Sequence, residues 1–169
     1  MQEIYILRHG HAIDLQDSSS NDFDRYLTDD GKKKIKKLAD LFNNPDFGIE
    51  IILSSPYIRA KETAEIFIGK LDKKPEFKIV DFLSSGASVG EISKGLMHYS
   101  LYKSVLIVGH SPDLEIFLGR LIGAENIKLK KGALAKVKLD NSVELAGELE
   151  WLIIPKLLKK LKSGREIKT

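Results

Sequence analysis

Residues 4–10 read Ile-Tyr-Ile-Leu-Arg-His-Gly. The stretch over 2–7 alternates and then runs apolar, as a strand does, and it stops abruptly at Arg8, His9 and Gly10. A guanidinium and an imidazole placed side by side repel each other when both are charged. The pair makes sense if something anionic sits between them.

Two further apolar runs end in the same unusual way. Ile49 to Leu53 leads into Ser54-Ser55-Pro56 and then Arg59, and Ser104 to Val108 leads into Gly109-His110-Ser111-Pro112. Between these strands lie helical patterns. Ile35, Leu38, Ala39 and Phe42 fall on one helical face after the capping oxygens of Thr28, Asp29 and Asp30. Ala60, Ala64, Phe67, Ile68 and Leu71 form a second stripe, in a helix opened by Pro56 in its first turn. Leu114, Phe117, Leu118 and Leu121 form a third, and residues 89–98 read as a short helix. A strand is expected over 77–80. Two more, around 132–139 and 145–154, read as a hairpin across Asp140-Asn141, and 156–163 as a basic helix. Alternating strands and helices predict an α/β fold, a three-layer α/β/α sandwich with a mostly parallel central sheet. Ligands of such sheets bind beyond the carboxyl ends of the strands. Parallel strands would gather Arg8, His9, Arg59 and His110 at one edge, near two helix N-termini that favour anions.

The 169 residues fit one domain, with a core of about 2–155 and a basic tail of about 156–169. The chain is 43% hydrophobic and 30% charged, with a net charge of +3 carried mostly by lysine. The arginines, suited to bidentate phosphate recognition, are Arg8, Arg25, Arg59, Arg120 and Arg165. With no cysteine, disulfides, thiol catalysis and thiolate metal sites are excluded. No apolar run approaches the ~18 residues of a membrane span. The reading is a cytoplasmic protein with no membrane or nucleic-acid partner, its lysine-rich tail a solvated face.

The three motifs "LRHG", "SSPYIRAKETAE" and "VGHSP", in this order, resemble those of the histidine phosphatase superfamily, whose fold is phosphoglycerate mutase-like. The element "RYLTDDG" at 25–31 and the closing "LEWLIIP" resemble the small branch of SixA-type phosphohistidine phosphatases. The resemblance spans residues 3 to about 155. It implies that His9 is a nucleophile that becomes phosphorylated, that Arg8 and Arg59 clamp the phosphoryl oxygens, and that His110 hydrogen-bonds the transferring group. Gly10 would let the backbone turn at the nucleophile, and Ser111 would join the phosphate site. Asp81, just after the third strand, matches a carboxylic acid of the family and is the candidate general acid. His11 and His98 are read as structural.

The roles agree with the chemistry. A phosphoryl transition state spreads charge over three oxygens, which guanidiniums and a histidine can stabilise. Neutral imidazole is a competent nucleophile. No cofactor and no metal are expected, since the arginines supply positive charge and no metal-ligand spacing stands out. Nothing between 82 and 103 reads as a substantial lid, which favours a phosphoprotein substrate, such as a histidine phosphotransfer domain. A small-molecule phosphomonoesterase is the alternative, and a non-catalytic phosphate- or peptide-binding module the third reading.

Overall fold

The strand that ends in Arg8 lies inside a six-stranded sheet. The computed structural model describes residues 2–17, 21–44, 47–140 and 145–157. In chain order the elements are β1 (Glu3–Arg8), α1 (Asp29–Ala39), β2 (Ile51–Ser54), α2 (Ile58–Lys70), β3 (Glu76–Ile79), α3 (Val89–Met97), β4 (Ser104–Gly109), α4 (Asp113–Ile122), β5 (Leu134–Leu139) and β6 (Gly147–Ile153). The strand order is β3-β2-β4-β1-β5-β6. Pairs β3/β2, β2/β4 and β4/β1 are parallel, while β1/β5 and β5/β6 are antiparallel. The expected three-layer architecture is what forms. The turn of the β5/β6 hairpin beyond Asp140 and the basic segment from 158 onward lie outside the described residues.

Alternation along the strands builds both helical layers. Tyr5, Leu7, Ile52, Leu106 and Val108 face Ile35 and Leu38 of α1 and Ala60, Ala64 and Phe67 of α2. Ile4, Ile6, Leu53, Val105 and Ile107 face Ile92 and Leu96 of α3 and Leu114, Phe117 and Leu121 of α4. β4 is buried along its whole length, as a central strand covered on both faces must be.

Helix ends follow local chemistry. Thr28 caps α1 by accepting the Gly31 N–H, acidic residues occupy the first turn, and lysines the last. Ser88 and Glu91 form a reciprocal capping box on α3. The helix expected to open at Pro56 begins instead at Ile58, with Tyr57 in extended conformation at its N-cap. Pro56 therefore belongs to the connection out of β2 and not to the helix.

The described parts of the connection rich in Asp and Ser, 11–17 and 21–27, form a strap that reaches the site at the carboxyl edge of the sheet through Asp22. Ala12 and Leu27 form an antiparallel bridge, and Ile13 N–H donates to the Tyr26 carbonyl at 3.0 Å. The strap rests on α1 at Gly31, where a Cβ would meet the His11 carbonyl oxygen at 2.3 Å. The obstacle is backbone and cannot rotate away. Gly31→Ala should therefore cost about 2–3 kcal/mol, at the upper end of overpacking, and lower Tm by roughly 5–10 °C. A thermal melt checks this, and an unchanged Tm would show that the strap is not held by this approach.

Candidate active site

The strands β2, β4 and β1 are neighbours, and their carboxyl ends are level. Arg8 pairs with Gly109, and Ser54 with Val108. The next residues along the three strands are Ser55, His110 and His9. His9 N–H still donates to the Gly109 carbonyl at 3.0 Å, and Ser55 N–H to that of Val108 at 2.9 Å. The chain thus leaves the sheet with its backbone bonded, and the side chains that follow are fixed. His9, His110 and Arg59 are all buried, and the two imidazole rings lie 5.3 Å apart between centroids. The four residues singled out from the strand ends converge.

Hydrogen bonding assigns the proton on His9. Nδ1 lies 2.8 Å from the Gly10 carbonyl oxygen, which can only accept, so Nδ1 carries the hydrogen. Nε2 then presents a lone pair, towards which Arg59 Nε–H points at 3.3 Å. Burial pushes the His9 pKa down to about 3. The Gly10 hydrogen bond opposes this, while His110, Arg59 and Arg8 reinforce it. His9 is a neutral imidazole near pH 7 with an available Nε2, the state a nitrogen nucleophile needs.

His110 is fixed by Ser55. Ser55 Oγ lies 2.7 Å from His110 Nε2 and accepts the Tyr57 N–H at 3.3 Å. Both residues are buried. Because Ser55 Oγ already accepts from Tyr57, its own proton is free to go to His110 Nε2, and the His110 hydrogen then sits on Nδ1. Burial, with Arg59, also pushes the His110 pKa to about 3, against the pull of Asp22.

Three buried side-chain polar atoms lack a partner among the described residues: Arg8 Nε, His110 Nδ1 and Ser111 Oγ. All three belong to this cluster. Buried donors are paired almost everywhere in proteins, so unpaired ones in one place mark a ligand site. Arg8 is held by its Nη1, which donates to the Leu129 carbonyl at 2.6 Å. Arg59 is held by Asp22, through Nη1 to its backbone carbonyl and Nη2 to its carboxylate.

The remaining expectations divide. Gly10 sits under His9, but its φ is not positive. It needs no left-handed backbone, and a side chain there would meet close packing, with a Cβ 3.1 Å from Ile35. Its N–H is occupied by Thr63 Oγ1 at 3.0 Å. Asp81 lies exposed in a short 3-10 turn after the edge strand β3, and no hydrogen bond of the cluster reaches it. His11 is exposed, its Nδ1 3.3 Å from Thr28 Oγ1, and His98 ends α3, also exposed. Residues missed from the sequence are Ser55, Thr63, Asp22, Arg25 and Lys131. Arg25 pairs with Asp22 at 2.9 Å. Lys131 faces the same cluster: burial and the charges of Arg8, Arg25 and Arg59 push its pKa down, with Asp14 opposing. The signal available for Asp22 and Arg25 was their three-residue spacing within the strap.

Comparison with known proteins agrees with this geometry. Residues 4–82 match the family model of the histidine phosphatase superfamily (branch 1). The chain is 31% identical over 166 residues to an uncharacterized protein of Picosynechococcus, covering 89% of this chain and 99% of that one. It is 28% identical over 164 residues to the phosphohistidine phosphatase SixA of Escherichia coli, covering 95% and 99%. A solved structure of the protein histidine phosphatase SixA complexed with tungstate superposes with a TM-score of 0.83 at 27% identity, covering 93% of this chain and 99% of that one. An alpha-ribazole-5'-P phosphatase structure of E. coli, at 16% identity and a TM-score of 0.74, shares the fold.

Two outcomes follow from the buried imidazoles. The ring resonances of His9 and His110 should keep neutral-imidazole shifts down to about pH 4, since both groups titrate near pH 3. Between pH 6.5 and 3 the unfolded chain binds more protons than the folded one. Stability is therefore full above about 6.5 and falls as pH drops towards 3, by up to about 1.4 kcal/mol per pH unit for each histidine. Urea unfolding at several pH values, with His110→Asn flattening the slope, checks the sign. Ser55→Ala should keep the fold and lower kcat at least about tenfold, the equivalent of one buried hydrogen bond's 1–1.5 kcal/mol. Unchanged kcat would release His110 from Ser55.

Proposed function

The chain belongs to the histidine phosphatase superfamily, in its SixA-type branch, and is a phosphatase, and we propose that it removes phosphate from phosphohistidine on a protein, without a metal, through a phosphorylated His9. The carrying observation is a buried, neutral His9 whose Nε2 lone pair faces Arg59 Nε–H, in a cluster where Arg8 Nε, His110 Nδ1 and Ser111 Oγ have no partner among the described residues. Tungstate, held by the SixA neighbour, is a phosphate-like oxyanion, and the same chemistry suits this cluster.

In the first half-reaction His9 Nε2 attacks phosphorus. Its lone pair forms the new P–N bond while the bond to the substrate imidazole breaks, and that imidazole takes a proton from solvent. Arg8, Arg59, His110 Nδ1–H and Ser111 Oγ–H donate to the three equatorial oxygens, where charge spreads. In the second half-reaction water attacks phosphorus from the opposite side, the His9 P–N bond breaks, and the water proton leaves with inorganic phosphate. Imidazole is a weak base compared with an alkoxide, so neither half requires a positioned carboxylic acid. Asp81, exposed after β3, fits this economy. Positive charge comes from the arginines. Among the described residues no three His, Asp or Glu side chains group as metal ligands.

The mouth of the site supports a macromolecular substrate. The segment from 82 to 103 is spent on α3 and the run into β4, and Leu83, Ile92 and Leu96 pack into the core while Met97 and Leu101 stay exposed. The strap exposes Phe23, whose ring lies 4.9 Å from that of Tyr57, which in turn stands 4.9 Å from His110. Exposed apolar groups next to a charged site suit a protein face better than a sugar phosphate. We place the activity in the cytoplasm, on a phosphotransfer domain of a signalling relay.

The test compares kcat/KM on a phosphohistidine protein, free phosphohistidine and a panel of phosphate esters, all in excess chelator. The phosphoprotein should lead. Small phosphoesters far ahead would establish the phosphomonoesterase reading, and activity lost to chelator and restored by magnesium would end the metal-free one. Enzyme quenched during turnover should carry acid-labile, base-stable phosphate that His9→Ala abolishes. Arg59→Lys should cost about 100–1,000-fold in kcat although charge is kept, because lysine lacks the planar fork. Asp81→Asn should leave phosphohistidine turnover intact, and a sharp loss confined to alkyl phosphoesters would instead make Asp81 their general acid.

A further inference from the structure

We propose that Asp22 is the positioning residue of the site: it grips one end of the Arg59 guanidinium and thereby turns the other edge towards His9 Nε2, where the phosphoryl group is held. The proposal rests on the phosphatase reading above.

A guanidinium offers five N–H groups in a rigid plane. They form two usable sides. One is the far end, made by Nη1 and the outer hydrogen of Nη2. The other is the lateral edge, made by Nε–H and the inner hydrogen of Nη2. Asp22 takes the far end with two different acceptors: its backbone carbonyl accepts from Nη1, and its Oδ2 accepts from Nη2 at 2.9 Å. Nε–H, on the lateral edge, points at His9 Nε2 from 3.3 Å. A phosphoryl group on Nε2 would meet that edge and its two parallel donors. Asp22 therefore grips the guanidinium without occupying the edge the phosphoryl group needs.

The grip is itself built. Arg25 Nη1 donates to the other carboxylate oxygen of Asp22 at 2.9 Å, and Arg25 Nε to the Ile13 carbonyl at 2.7 Å. Asn21 Oδ1 accepts the N–H groups of Phe23 and Asp24, which fixes the turn carrying Asp22. Burial pushes the Asp22 pKa up, but hydrogen bonds from Arg25 and Arg59 outweigh it and hold the carboxyl below the usual range. Asp22 is thus a stable carboxylate between two guanidiniums. It lets a buried Arg59, 4% exposed, stay charged beside Arg8 and two imidazoles. Without it Arg59 has one obvious alternative, to settle on the Tyr57 ring, whose centroid already lies 4.8 Å from its Cζ.

Three readings give different signs. If Asp22 presents Arg59, Asp22→Ala weakens tungstate binding, measured by calorimetry, and lowers kcat/KM on p-nitrophenyl phosphate, each by about tenfold or more, the loss of one charge-assisted hydrogen bond. If Asp22 instead blocks the site, Asp22→Ala tightens tungstate, and the proposal falls. If Asp22 is an acid or base acting independently, its effect persists when Arg59 is gone. The decisive arm is therefore a double-mutant cycle. In an Arg59→Ala background, the same Asp22→Ala substitution should change tungstate affinity and kcat/KM less than about twofold. An equal fold-loss in both backgrounds overturns the proposal. Arg25→Ala should reproduce part of the Asp22 effect, and serves with Asp22→Asn if Asp22→Ala proves unstable in a thermal melt. Wild-type protein that neither binds tungstate nor turns over phosphate would sink the parent reading. Normal wild-type behaviour with an unaltered Asp22→Ala sinks the positioning role alone.

Discussion

The site depends on holding two imidazoles neutral among guanidiniums. Arg8 and Arg59 lie close enough to His9 and His110 to disfavour protonation, and burial disfavours it further. Charged imidazoles would add repulsion that the Asp22 carboxylate offsets only in part, and His9 would lose its lone pair. The fold meets this by routing each ring proton to a defined place. The Gly10 carbonyl holds that of His9, and Ser55 leaves that of His110 on Nδ1. Each assignment comes from backbone or side chains already fixed by strand ends. Neutrality and tautomer are thus products of the sheet edge and not of an added network.

Much of this was legible in the sequence because strand ends announce themselves. A continuous apolar run such as 104–108 can only be a covered strand, and a histidine or arginine just beyond it is out of place unless it works there. Arg8, His9, His110 and Arg59 were readable on those terms, and the level register of β2, β4 and β1 brings them together. What stayed hidden depends on partners distant in the chain. Asp22 meets Arg59 across 37 residues, and Ser55 meets His110 across 55. In the sequence Asp22 is one acid in a stretch of Asp and Ser that reads as a solvated loop, and Ser55 reads as part of a helix opening. Small polar residues carry many local meanings, and only the fold selects one. Asp81 shows the converse: a carboxylate after a strand is conspicuous, but β3 is the outermost strand, beyond β2 from the site.

The antiparallel strands on the other side are part of the same construction. Gly132, just before β5, donates its N–H to the carbonyls of both Arg8 and His9, at 3.1 and 3.0 Å. Its φ of +75° suits glycine, and a Cβ there would crowd Pro155 at 3.2 Å. The preceding turn supplies the Leu129 carbonyl that holds Arg8 Nη1. The His9 backbone is therefore tied to β4 on one side and to the approach of β5 on the other, while Thr63 of α2 ties Gly10 beneath it. Donors fixed this way need no reorganisation when charge develops on a phosphoryl group, which is where such sites gain most of their rate. The cost is visible in the same place. Arg8 Nε, His110 Nδ1 and Ser111 Oγ have no protein partner among the described residues, and a buried polar group left without one destabilises by about 1–3 kcal/mol. The dense apolar layers on both faces of the sheet are what let the fold carry that penalty, so the core and the site are one design: packing offsets the strain of donors aimed at a group that arrives only with the substrate.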